Sequence, residues 1–390
     1  MTDVLVAAGG AAWEAEALHE IEGSAELRLV RRCVDVADLL AAGQTGVAPL
    51  ALVAVGLPGL DADVVHTLGA CGVRVVAVEA DQKRCVALGI TASVARGSLA
   101  SAAVGEPPSV RVPDAPQGRL VTVWGTGGAP GRSSVSLSLA AAWSAAGRDT
   151  VLVDADTDGG SIGQMLAVLD DVSGIMAAAR AANNGQAQQV GEHLLTIEPR
   201  LRLLTGLPRG DMWPHVRLGA LEQLLRELRN TAEVVVVDVA AGLDSADTSS
   251  RRQVTRHLVE QADEVLVLGR ADPVGLARLV RALHELEEHV PGIVPRVVVT
   301  MVRPSIGWGA HDIETTVMRL SGVAPTALVP FDQSTLDHAL VAGRLPRDVA
   351  RQSPFAAAVQ GLAEELLPTP VGARVGRRAR ARSGGTFLTR

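Results

Sequence analysis

The segment Leu120–Ala142 constrains this chain most. A continuously apolar run, Leu120–Trp124, leads into Gly125-Thr126-Gly127-Gly128-Ala129-Pro130-Gly131-Arg132-Ser133-Ser134, and a long Ala- and Leu-rich helical stretch follows. A strand, a glycine-rich turn and a helix start, in that order, bring backbone N–H groups and the positive end of a helix dipole to one point. That geometry cradles phosphate. Aligned on Gly131-Arg132-Ser133, the pattern G-x-x-x-x-G-K-[ST] has Thr126 at its first glycine and Arg132 at its lysine. Ser133 then stands where a hydroxyl would ligate Mg²⁺. A glycine-rich turn with no ligand is the alternative reading of the same residues.

Acids follow at fitting places. Val151-Leu152-Val153-Asp154-Ala155-Asp156 reads as a strand ending in two carboxylates, and Val234–Val237 runs into Asp238 and then Ala240-Ala241-Gly242. Carboxylates at the ends of parallel strands beside a phosphate loop can hold hydrated Mg²⁺ or orient water. For any one of them, a helix cap or a turn is the alternative.

The rest of the chain has the same rhythm. Residues 1–98 alternate apolar runs (Asp3–Ala8, Leu27–Val30, Ala51–Val55, Val73–Val78) with helical patterns (Trp13–Ile21, Val36–Leu40, Asp61–Leu68). Residues 118–367 continue with strand candidates Glu264–Leu268, Arg296–Thr300 and Ala327–Val329 and helices such as Leu218–Leu228, Val274–Leu286 and Phe355–Leu366. Such alternation implies an α/β fold with parallel sheets covered on both faces. Between the blocks, Gly105-Glu106-Pro107-Pro108 and Pro113-Asp114-Ala115-Pro116 mark a linker over 99–117, since prolines at that density interrupt regular elements. A tail, 368–390, carries Arg374, Arg377, Arg378, Arg380, Arg382 and Arg390 among small residues and is expected to be disordered.

Composition excludes several functions. A net charge of -7 argues against a general nucleic-acid binder, and 2% aromatics with no tyrosine argue against a base-stacking surface. Cys33, Cys71 and Cys85 form no CxxC, so neither a disulfide framework nor a zinc site is suggested. No apolar run approaches the roughly 18–20 residues that span a bilayer. Met1–Val6 carries Asp3 and no basic residue, unlike a secretory signal, so a cytoplasmic protein is expected. The only lysine is Lys83.

Over about 118–367, the order of these motifs resembles the MinD/ParA superfamily of P-loop ATPases, and within it the CpaE/TadZ branch with its actinobacterial septum-site-determining relatives. Gly127–Ser134 corresponds to the family's deviant Walker A, K-G-G-x-G-K-[ST]-T. Val153–Asp156 corresponds to V-D-x-D. Asp238–Gly242 corresponds to the D-x-P-x-G switch, with Ala240 where proline is usual. Val329-Pro330-Phe331-Asp332 with Ala339, Gly343 and Pro346 resembles the closing P-x-D…A…G-x-P run.

The resemblance implies an ATP site with Mg²⁺. Gly127, Gly128, Gly131, Arg132, Ser133, Ser134 and Gly242 would bind nucleotide, Ser133 and Asp238 would face the metal, and Asp156 with Asp154 would orient water. It also implies a homodimer, partners in division or pilus machinery, and a polar, septal or peripheral membrane location. The 1–98 block would be a receiver-like, flavodoxin-like domain. The acid pair and the acceptor Asp of a phosphorylatable receiver are replaced by Ala7-Ala8-Gly9-Gly10 and Val55-Gly56, and Lys83 falls at a helix start, so no phosphotransfer is expected.

Three departures predict weak hydrolysis. Gly127 stands at the signature lysine that reaches across the dimer. Arg132 stands at the phosphate-loop lysine, and Pro130 removes a loop N–H. The base-contacting Asn that the family often has after Val299-Thr300-Met301 is missing. The leading expectation is an ATP-binding spatial regulator, marking a pole or septum or serving Tad/Flp pilus assembly. A nucleotide-independent pseudo-ATPase scaffold and a ParA-like DNA-partitioning ATPase are the alternatives. No specific nucleic acid is expected as a partner, and the arginine-rich tail is a weak candidate for contact with anionic lipid.

Overall fold

Runs of valine and leucine with no polar interruption can be buried only on both faces of a sheet, and the computed structural model places them there. It describes residues 1–103, 117–128, 130–168, 172–243, 250–350 and 352–367. The first block runs β1 (Thr2–Ala7), α1 (Glu14–Glu22), β2 (Leu27–Arg32), α2 (Val36–Gln44), β3 (Leu50–Val53), α3 (Ala62–Ala70), β4 (Arg74–Val78), α4 (Gln82–Leu88) and β5 (Ala92–Val94). Asp35, Asp61 and Asp81 start α2, α3 and α4 by accepting a hydrogen bond from the backbone N–H three residues on.

The five strands pair in parallel in the order β2-β1-β3-β4-β5. That is the flavodoxin-like doubly wound order. Lys83 lies in the first turn of α4, as its sequence position implied. The expected linker begins inside this block's packing: Leu99–Ala102 forms a turn of 3-10 helix with Leu99 and Ala102 buried against the sheet. Residues 104–116 of that linker and the tail 368–390 lie outside the described residues.

The second block runs β6 (Arg119–Gly125), α5 (Arg132–Ala145), β7 (Thr150–Ala155), α6 (Ile162–Met165), α7 (Gly174–Asn183), β8 (Leu195–Glu198), β9 (Leu201–Leu204), α8 (Leu218–Thr231), β10 (Val234–Val239), α9 (Arg252–Glu260), β11 (Glu264–Arg270), α10 (Pro273–His289), β12 (Arg296–Val302), α11 (Ala310–Ser321), β13 (Pro325–Pro330), α12 (Gln333–Ala342), α13 (Pro346–Val349) and α14 (Pro354–Leu366). Its sheet has the order β13-β12-β11-β6-β10-β7-β9-β8, parallel except for the β8–β9 pair at one edge. Two apolar layers cover it. One gathers α7 to α10, and the other packs α5 and α14 through Val135, Trp143, Phe355 and Val359. β10 lies between β6 and β7 with Asp238 opposite Val123 and Asp154, so these strand ends meet at one edge, where α5 begins.

The two blocks touch through α3 and α4 against α7 and α8. Asn183 bridges to α3, donating to Asp61 Oδ2 at 2.9 Å and accepting from Asp63 N–H at 3.0 Å. Arg226 donates to Val86 O at 3.1 Å and Arg84 to Asn184 O at 3.1 Å. Gly219 lets α8 approach, since a Cβ there would stand 2.4 Å from Ala62 O.

Candidate functional site

β6 ends at Gly125 under a tight constraint: a Cβ at this position would meet the backbone of Leu268 on β11 at 2.3 Å. The chain then turns away and enters α5 through Gly131, whose φ of +83 is left-handed and suits glycine. No side chain caps α5. A helix leaves its first N–H groups without intrahelical partners. Among the described residues, nothing accepts from the backbone N–H groups of Gly127, Gly128, Gly131, Arg132, Ser133 and Ser134. The loop carbonyls, by contrast, are taken. Arg132 donates to Thr126 O at 2.8 Å, Arg278 to Gly127 O at 3.2 Å, and Thr300 to Pro130 O at 2.6 Å. Side chains thus hold the loop from its carbonyl side and leave its N–H side for an anion.

The acids sit beneath. Ser133 Oγ donates to Asp238 Oδ2 at 2.6 Å, and Ser136 Oγ lies 3.0 Å from Oδ1 of the same carboxylate. Asp154, opposite Asp238 on β7, is buried. Its carboxylate accepts from the N–H of Ile162 at 2.9 Å and is hemmed in by Gly160 and Gly206, where a Cβ would come within 2.8 Å of it. Burial raises Asp154 to about 6, and burial together with the neighbouring Asp154 charge raises Asp238 to about 7. Asp156 lies beyond the strand and is partly exposed. Its Oδ1 accepts from Asp158 N–H at 2.8 Å, and burial raises it as well. Gly127, Gly128 and Gly242 line one open cavity, with Gly242 at φ +85.

The structure therefore brings together Gly127, Gly128, Gly131, Ser133, Ser134, Asp238 and Gly242 around one loop. Two expected members are placed differently. Asp154 is turned inward and clamped by backbone, which suits a supporting group better than one that touches water. Arg132 is spent on protein acceptors: Thr126 O, Val239 O at 3.1 Å, and Asp156 with 3.7 Å between charged atoms. Ser136, Ser161 and Thr300 belong to the site too. Ser161, 3.5 Å from Ser133, is 28 residues away in sequence, so spacing gave no sign of it.

The donor set suits a nucleotide with Mg²⁺. Open N–H groups suit phosphate, and the Ser133–Asp238 pair supplies hard oxygen ligands. Among the described residues no group of three or more His, Cys, Asp or Glu side chains could hold a metal alone. Mg²⁺ commonly binds through one or two protein oxygens, with phosphates and water completing the shell.

No protein-family model and no curated protein sequence matches the chain. Solved structures do. A ParA family ATPase from Chlorobium tepidum superposes with a TM-score of 0.55 at 16% identity, covering 64% of this chain and 99% of that one. The cell division ATPase MinD of Pyrococcus furiosus gives 0.51 at 21% identity, over 64% and 98%. The septum site-determining protein MinD of Pyrococcus horikoshii, solved with Mg-ADP, gives 0.50 at 19% identity, over 64% and 95%. At such identities the likeness is one of architecture: most of this chain has the fold of the MinD and ParA ATPases.

Proposed function

We propose that this chain is an ATP-binding spatial regulator of the CpaE/MinD kind, with slow or no hydrolysis. The observation that carries the reading is the row of unpartnered N–H groups at the start of α5, set over the Ser133–Asp238 pair. Phosphates would lie on Gly131, Arg132, Ser133 and Ser134. Ser133 and Asp238 would hold Mg²⁺, which supplies charge neutralisation when bound. Asp156 would orient water, with Asp154 fixing the strand end beneath it. Slow turnover fits the departures: Gly127 has no side chain to offer, and Pro130 no N–H.

The rest of the proposal follows the resemblance. The chain works as a homodimer that marks a septum or pole, or serves pilus assembly, through division or pilus proteins. Among the described residues no helix is long and apolar enough to cross a membrane. The first block is receiver-like and docks partners without accepting phosphate.

One observation favours a second reading, a scaffold that uses no nucleotide. Arg132, at the position of the phosphate-loop lysine, already bridges Thr126, Val239 and Asp156. Calorimetry on Arg132→Ala with ATP and Mg²⁺ separates the two readings. The ATPase reading expects the parent to bind and the variant to lose about 1.5–3 kcal/mol of affinity, typical of a charged contact. A parent that binds no ATP, with a variant that only melts earlier, supports the scaffold.

A further inference from the structure

Beside the loop lies a cavity of about 580 Å³, with Gly127, Gly128 and Gly242 on one side and Arg278, Arg281 and Glu285 of α10 on the other. Two of its charges have no acidic counterpart among the described residues. Arg278 contacts Gly127 O, and Arg281 reaches only Ala277 O, 3.4 Å away on its own helix; neither pairs with a carboxylate among the described residues. The nearby acid is engaged, because Glu285 accepts from Leu243 N–H. Trp124, which also lines the cavity, is fully buried, and its indole N–H has no acceptor among the described residues.

The loop is shaped to admit this arginine. Gly128 has φ +95, and a Cβ there would stand 2.2 Å from the Arg278 guanidinium. Residues 278 and 281 are three apart on a helix, so both project from one face. Inward of the loop, by contrast, are Asp154, Asp156 and Asp238. The inner cation, Arg132, is already held by Thr126, Val239 and Asp156, so the cations left for the outer end of an anion on the α5 N–H groups are Arg278 and Arg281.

We infer that Arg278 and Arg281 form an outer anion subsite that holds the distal phosphate of a nucleoside triphosphate. The assignment rests on the nucleotide reading of the loop and deepens it: this pair makes the site select a triphosphate over a diphosphate. Guanidinium groups suit the task because they offer paired N–H donors to phosphate oxygens.

The test titrates the full chain at fixed Mg²⁺ with ATP, ADP and inorganic tripolyphosphate. It compares the parent with Arg278→Ala/Arg281→Ala and with Arg278→Lys/Arg281→Lys. The parent should prefer ATP to ADP by about tenfold or more. Arg281→Ala, which does not touch the loop, should lower that ratio by about threefold or more with ADP affinity within about twofold; the alanine pair should bring the ratio near one, and the lysine pair should restore part of it. Equal losses for ATP and ADP, or no change in either, overturn the subsite. If the parent binds neither nucleotide but binds tripolyphosphate, and the alanine pair loses it, the subsite stands and the nucleotide reading falls. Binding of none of the three overturns both.

Discussion

The two sheets of this protein end alike and carry different chemistry. In the first block β1 runs into Ala8, Gly9 and Gly10, and β3 into Ala54, Val55 and Gly56. In the second, β7 and β10 carry Asp154 and Asp238 near their ends, Asp156 follows β7, and a glycine loop joins β6 to α5. Both edges are carboxyl ends of parallel strands, the place where doubly wound folds bind ligands. The carboxylates at the first edge are already paired, Glu79 with Arg96 and Glu14 with Arg32 and the N–H of Gly10, whereas at the second edge Asp238 and Ser133 sit under the open N–H groups that enter α5. The architecture offers the position, and side chains decide whether it is used.

The sharpest way to break this comparison is through strand-end glycines. Gly125→Ala pushes a Cβ into the Leu268 backbone and should cost about 3 kcal/mol in urea unfolding. Gly56→Ala meets nothing within 4 Å and should change stability by no more than about 0.5 kcal/mol. Similar losses at both would mean that the loop entry is not specially built. Next is charge. Asp238→Asn should weaken Mg²⁺-dependent ATP binding by about 1.5–3 kcal/mol. Glu79→Gln, past β4 in the first block, should leave the isotherm unchanged.

A smaller effect lies where the blocks meet. His66 of α3 hydrogen-bonds Glu222 of α8 at 3.1 Å, and that bond raises the His66 pKa. Its contribution is fully present below the unfolded value of 6.5 and fades as pH rises through the folded value. Buried His257 is shifted the other way by desolvation, so it opposes His66 in the parent. The difference between parent and His66→Gln reads the pair together with the relief of His257, whose pKa His66 helps to lower. It should be about 0.5–1 kcal/mol near pH 6 and shrink toward zero in alkali. A difference that grows with pH would contradict the assignment. Smallest of all, acetyl phosphate should leave no stable acyl-phosphate on the first block, and mass spectrometry of the full chain would reveal one.

How much could be read beforehand depended on how local the signal was. β6, β7, β10, β11 and β12 were legible because buried parallel strands are unbroken apolar runs. The loop was legible because glycine spacing is local. Edge strands β5 and β8, and β9 next to β8, were not: they are three, four and four residues long, and Leu195–Glu198 is largely half-buried rather than apolar throughout. Arg278 was invisible as a loop partner, since 151 residues separate it from Gly127 and only the packing of α10 on β11 joins them. Arg132 could be read as a cation near phosphate, but its capture by Thr126 and Val239 depends on where β10 ends.

The N–H groups entering α5 are the ligand site in this reading of the fold. Amide hydrogen exchange of the full chain, with and without ATP and Mg²⁺, tests it most directly. Exchange should slow over residues 127–134 and at Gly242, while the ends of β1 and β3 stay unchanged. Nucleotide-dependent protection at the first block's strand ends, or none at 127–134 under saturating ATP, would contradict it.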